Sequence, residues 1–121
     1  MLVEDLFEFK SIENKEGKLF SKVVINASNA IFEGHFPNNP ITPGVIQVQL
    51  VKEILEEYLQ RSLSLKTMGR CKFLAILNPE TTPEIEVEIA MTETENGLKI
   101  NAVGKHLEVS YFKFSALYIN K

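Results

Sequence analysis

Between Gly34 and Glu53 the chain reads GHFPNNPITPGVIQVQLVKE, and no other stretch restricts the fold as tightly. Pro37, Pro40 and Pro43 each fix their own backbone angle and remove a donor, so this segment can neither join a sheet ladder nor continue a helix. A long apolar run follows at once. Thr42 reads as an N-cap and Pro43 as the first helical residue, where a missing N–H costs nothing. The N–H groups of Gly44 and Val45 then point out of the helix N-terminus, whose partial positive charge can hold an oxyanion or a polarised carbonyl. His35, on the proline-stiffened loop, can be aimed at the same place. The stretch reads as a site rather than a connector.

The helix is expected from Pro43 to Arg61. Val45, Ile46, Val48, Leu50, Val51, Ile54 and Leu55 set apolar side chains on nearly every side of its first half, which predicts enclosure over most of the circumference. From Lys52 onward the pattern is amphipathic, and Glu57 and Arg61 are spaced for an i,i+4 ion pair at a solvated end.

The rest reads as strand. Leu6–Ile12 and Lys18–Ala27 form a hairpin about Asn14-Lys15-Glu16-Gly17, and Ser28 can cap a short helical turn over Asn29–Glu33. Met68–Leu77 is one β-rich run after a polar connector. Over Pro83–Met91, Ile85, Val87, Ile89 and Met91 face one way and Glu84, Glu86 and Glu88 the other, the wet face of a half-buried sheet. Asn96-Gly97 signals a hairpin, Leu98–Val103 follows, Gly104-Lys105 reads as a turn with His106 on the surface beside it, and Leu107–Ile119 closes the chain. The expected class is α+β in one domain spanning 1–121. About six strands form a curved, mainly antiparallel sheet round one long central helix, with exposed edges suited to pairing with a second copy.

Composition removes several functions. The net charge is −3 with scattered basic residues, which disfavours nucleic acid. His35 and His106 are the only histidines and Cys71 the only cysteine, so no metal-ligand cluster and no internal disulfide is expected. Cys71, among alternating strand residues, reads as core filler. No Gly-rich phosphate loop occurs. The apolar runs are too short to cross a bilayer, the acidic MLVEDLFEF start is not a signal peptide, and a single cysteine fits a cytoplasmic location.

The segment HFPNNPITPGVIQVQ, His35 to Gln49, resembles the active-site signature of the bacterial 3-hydroxyacyl-(acyl-carrier-protein) dehydratases of fatty-acid synthesis. That signature is H-F-P-G-x-P-(I/V)-x-P-G, a hydrophobic pair, and a carboxylate. His35, Phe36, Pro37, Pro40, Ile41, Pro43 and Gly44 match it position by position. The resemblance implies the hot-dog fold, dimeric assembly with each site built across the dimer, and no cofactor. It also implies His35 as base, the Gly44 N–H as the donor to the thioester carbonyl, and Phe36, Pro43, Val45 and Val48 beside the substrate. Dehydration needs a base for the α-proton, an acid for the departing hydroxyl and a donor for the enolate-like oxygen. Two departures stand out. Asn38 occupies the glycine position, and Gln49 occupies the carboxylate position, where an amide has no proton to give near neutral pH. Glu53, one turn on, stands where those enzymes carry glutamine. Glu53 either reaches the same pocket as a burial-raised acid, or, as the simpler expectation, begins the solvated half of the helix.

Three functions follow. One is a dehydratase acting on 3-hydroxyacyl thioesters of acyl-carrier protein or coenzyme A, in fatty-acid or specialised lipid or polyene synthesis, as a homodimer or higher oligomer. The alternative is an acyl-binding hot-dog subunit that completes a heterodimer whose partner supplies the acid. A thioesterase is a third, against which the His35 loop argues. For docking an acidic carrier, Lys66, Arg70 and Lys72 share one strand parity.

Overall fold

The computed structural model describes residues 6–26, 42 and 44–121. Six strands, β1 (Phe7–Lys15), β2 (Lys18–Ile25), β3 (Leu63–Phe73), β4 (Glu84–Thr94), β5 (Gly97–His106) and β6 (Val109–Asn120), flank one helix, α1 (Gly44–Leu59). They form a single sheet in the order β1-β2-β4-β5-β6-β3. Every pairing is antiparallel. The sheet wraps the helix, the hot-dog architecture expected from the sequence.

Leu50, Val51, Ile54 and Leu55 of α1 are wholly buried against Leu19, Val23, Ile85, Ile89, Ile100 and Phe112 of the sheet. Each such side chain contributes about 1.5–3 kcal/mol by leaving water. On β4, Ile85, Val87 and Ile89 face this core. Glu86 lies outside, opposite both Lys22 and Lys105, and Lys105 Nζ is 3.3 Å from Glu88. Glu88 is thus paired with a flanking lysine, and no group of metal-binding side chains occurs among the described residues.

The boundaries differ from the sequence reading for local reasons. The first hairpin turns on Glu16 and Gly17 alone, both at positive φ, the backbone a two-residue turn needs for strands of natural twist. Asn14 supports it by accepting the Gly17 N–H at 3.1 Å. The second turn is Glu95-Asn96, with Gly97 opening β5 at a φ of 134°. Gly104-Lys105 is no turn. Gly104 lies opposite Phe112, whose ring carbon comes 2.0 Å from where a Cβ would stand. The glycine admits the ring, and the chain reverses at Leu107-Glu108 instead. His106 ends β5 partly buried. β3 begins at Leu63, so the polar connector is itself strand, and its exposed Lys66, Thr67 and Arg70 suit a sheet edge.

α1 ends at Leu59 because Gln60 takes a φ of 55° and donates its N–H to Glu56. That turns Arg61 off the helix to pair with Glu93, so the expected Glu57–Arg61 pair does not form. Enclosure of the first half is also partial. Ile46 and Gln47 are buried, whereas Val45 is 71% exposed. Ala27 and the Asn29–Glu33 turn lie outside the described residues.

Candidate functional site

The described part of α1 opens at Gly44, with Thr42 just before it and Pro43 outside the described residues. Thr42 is fixed by its backbone: its N–H donates to the Leu77 carbonyl at 2.8 Å, and its carbonyl accepts Gln47 Nε2 at 2.9 Å. Its hydroxyl, almost wholly buried, meets no partner among the described residues, so it does not cap the helix as expected. No acidic side chain occupies the first turn. The opening of α1 therefore keeps its N–H charge uncompensated by any described carboxylate.

Phe73, the last residue of β3, lies on Gly44. Ring carbons Cζ and Cε2 stand 2.6 and 2.7 Å from the place of a Gly44 Cβ, so any larger residue there would push the ring aside. Val45 and Phe73 are exposed at this end, and Leu74 and Ile76, which follow β3 in the chain, are exposed as well. Val48 is half-buried against the core.

Gln49 and Glu53 lie elsewhere. They line a cleft of about 720 Å³ with Phe9 of β1, Glu56, Gln60 and Lys121. Nine residues separate Gly44 from Glu53, two and a half turns, which sets them on opposite sides of the helix axis. One chain thus presents the Phe73-covered end of α1 on its β3 flank and the Gln49–Glu53 pair on its β1 flank.

Glu53 is 8% exposed, which overturns the simpler expectation of a solvated helix half. Burial raises its carboxyl above the ordinary range, against the opposing pull of a Gln49 hydrogen bond. Its Oε2 has no partner among the described residues. Glu56, the next acid on that flank, instead accepts the Leu63 N–H at 2.7 Å. Tyr118, buried in β6, has its hydroxyl pushed up to about 12 by burial and by Glu56. Burial likewise pushes up the Cys71 thiol, which packs against the core as expected of a filler.

The sequence reading missed Phe73, Gln47 and Lys113. β3 has register shifts at Leu65/Thr67 and Met68/Cys71, which break the parity that joined Lys66, Arg70 and Lys72. Lys72 instead faces Lys113 directly across the strands. His35, Phe36 and Pro43 lie outside the described residues.

Comparison with known proteins places the chain. Residues 11–110 match the family model described as ApeI-like: ApeI dehydratase. The 3-hydroxyacyl-(acyl-carrier-protein) dehydratase FabZ of Thermoanaerobacter sp. (strain X514) is 30% identical over 86 residues, 64% of this chain and 61% of that one. FabZ of Caldicellulosiruptor saccharolyticus is 28% identical over 96 residues, 74% of this chain and 66% of its own length. The match to the first of these relatives thus spans about three fifths of its length. Among solved structures, "The Dehydratase Heterocomplex ApeI:P from Xenorhabdus doucetiae" superposes with a TM-score of 0.73 at 18% identity, covering 93% of this chain and 97% of that one. The expected placement among the fatty-acid dehydratases is corrected by the family match, which covers most of the chain under a different description. The chain belongs to the ApeI-like family of hot-dog proteins.

Proposed function

We propose that the chain is the histidine-bearing subunit of a two-chain hot-dog dehydratase acting on 3-hydroxyacyl thioesters, and that a second hot-dog subunit supplies the acid its own helix lacks. The observation that carries this reading is the placement on α1. The glycine end and the Gln49–Glu53 pair point to opposite flanks, and the carboxylate position holds an amide. The heterocomplex described for the Xenorhabdus doucetiae relative supports it.

In this reading His35 takes the α-proton of the thioester. Electrons move toward the carbonyl oxygen, which accepts the N–H groups opening α1. The 3-hydroxyl leaves with a proton from the partner's acid, giving one water and one enoyl thioester. The substrate rides on an acidic carrier protein, which docks where Lys72 and Lys113 bring like charges together with no ion-pair partner among the described residues.

Glu53 favours a second reading. A buried carboxyl held above its ordinary range is an acid in waiting, and a second copy of the chain would then bring Glu53 to the first copy's His35. Enoyl formation from a 3-hydroxyacyl thioester separates the two. Turnover only in the presence of a carboxylate-bearing hot-dog partner, abolished by His35→Ala in this chain, supports the first. Turnover by the chain alone that Glu53→Gln abolishes supports the second. Release of free thiol without enoyl product would contradict both.

A further inference from the structure

We propose that Phe73 is a substrate-positioning residue, whose ring is the wall against which the acyl carbons next to the thioester pack. This rests on the acyl-thioester reading above. Gly44 lies within a helix, whose backbone any residue can adopt, so its conformation does not call for glycine. The ring in this position does, since a methyl group at residue 44 would stand 2.6 Å from it and displace it.

The ring is also placed unlike its neighbours. Its cross-strand partner Phe112 faces the same side of the sheet and is wholly buried, whereas Phe73 remains 50% exposed over the start of α1. Two backbone hydrogen bonds hold it there. Leu74 donates to Tyr111 at 2.8 Å, and Leu77 accepts from Thr42 at 2.8 Å, tying the segment after β3 to the residues that enter the helix. Burying the ring in the core would be the ordinary fate of such a side chain.

The chemistry around it is specific in kind. N–H groups open the helix, and beside them Phe73, lying on Gly44, and Val45 keep apolar surface exposed. A small inorganic anion would want cations there. A thioester wants this combination: donors for its carbonyl oxygen and an apolar wall for the carbons attached to it.

The test compares binding of butanoyl-coenzyme A and of free coenzyme A to the assembled protein, in wild type, Phe73→Tyr, Phe73→Leu and Phe73→Ala. The same variants give kcat and KM with 3-hydroxybutanoyl-coenzyme A. Loss of the ring is expected to weaken the acyl thioester on the order of tenfold. Free coenzyme A should be unaffected, KM should move more than kcat, and Phe73→Tyr should bind like wild type. Phe73→Leu keeps apolar bulk and serves should Phe73→Ala fail to fold. Equal weakening of acylated and free coenzyme A, or none, would overturn the proposal. Wild type that binds the acyl thioester but forms no enoyl product would sink the dehydratase reading and leave Phe73 to be judged on binding. Wild type that binds neither thioester would sink both.

Discussion

Replacing Glu53 with glutamine should make the protein more stable, and only above a certain pH. The residue is 8% exposed, one carboxylate oxygen has no partner among the described residues, and burial raises its pKa. An unsatisfied buried polar atom costs about 1–3 kcal/mol, toward the upper end when the group is charged. The unfolded chain releases this proton near the ordinary value of 4.5, whereas the folded chain holds it to higher pH. Between those two values the folded state carries the extra proton, so stability falls as pH rises through that window and levels off above the folded value. Below 4.5 both states are protonated and the carboxyl resembles the amide. Glu53→Gln should therefore gain about 1–3 kcal/mol at pH 8, roughly 4 °C in Tm for each kcal/mol, and almost nothing at pH 4. Urea unfolding of both proteins from pH 4 to pH 9 measures the difference. A constant difference across the range, or destabilisation at pH 8, would refute the argument that a buried, poorly solvated carboxylate is the cause.

Further outcomes follow from other contacts. Gly104→Ala should cost about 1–3 kcal/mol by overpacking, because Phe112 is wholly buried and its ring fills that space; Phe112→Leu in the same chain should recover part of it, as thermal unfolding will record. Gly97→Ala meets both a φ of 134° and the Tyr118 carbonyl 2.4 Å from its Cβ, and should lose about 1–3 kcal/mol for the backbone strain alone. Lys72→Glu with Lys113→Glu should weaken carrier-protein binding and flatten its salt dependence, measured by titration at two ionic strengths; unchanged affinity would dismiss that docking face.

The fold was legible because two periodicities and one loop agreed. Alternation over β4 placed its glutamates outside, where Lys22 and Lys105 meet them, and the proline run could only precede the helix. Glycine was the weaker guide. Gly17 does make a turn, but Gly104 lies mid-strand to admit Phe112, and sequence alone does not distinguish a φ requirement from a close ring. Parity failed along β3, where two register shifts redirect the side chains and hid both Phe73 and the Lys72–Lys113 pairing. Glu53 was misjudged because a charged residue at the edge of an amphipathic pattern reads as solvated, whereas its flank of α1 turns toward β1. For the described members of the motif, Gly44, Gln49 and Glu53, which flank of the helix each one faces required the fold.

The claim at the centre is that this chain carries a base and a carbonyl donor but holds an amide, Gln49, at the position on α1 where a carboxylate is needed. Gln49→Glu tests it most directly, with enoyl formation from a 3-hydroxyacyl thioester measured for the chain on its own. The account predicts a rise of about 10²-fold or more, abolished again by His35→Ala. No gain over wild type, in a variant that remains folded, would contradict it.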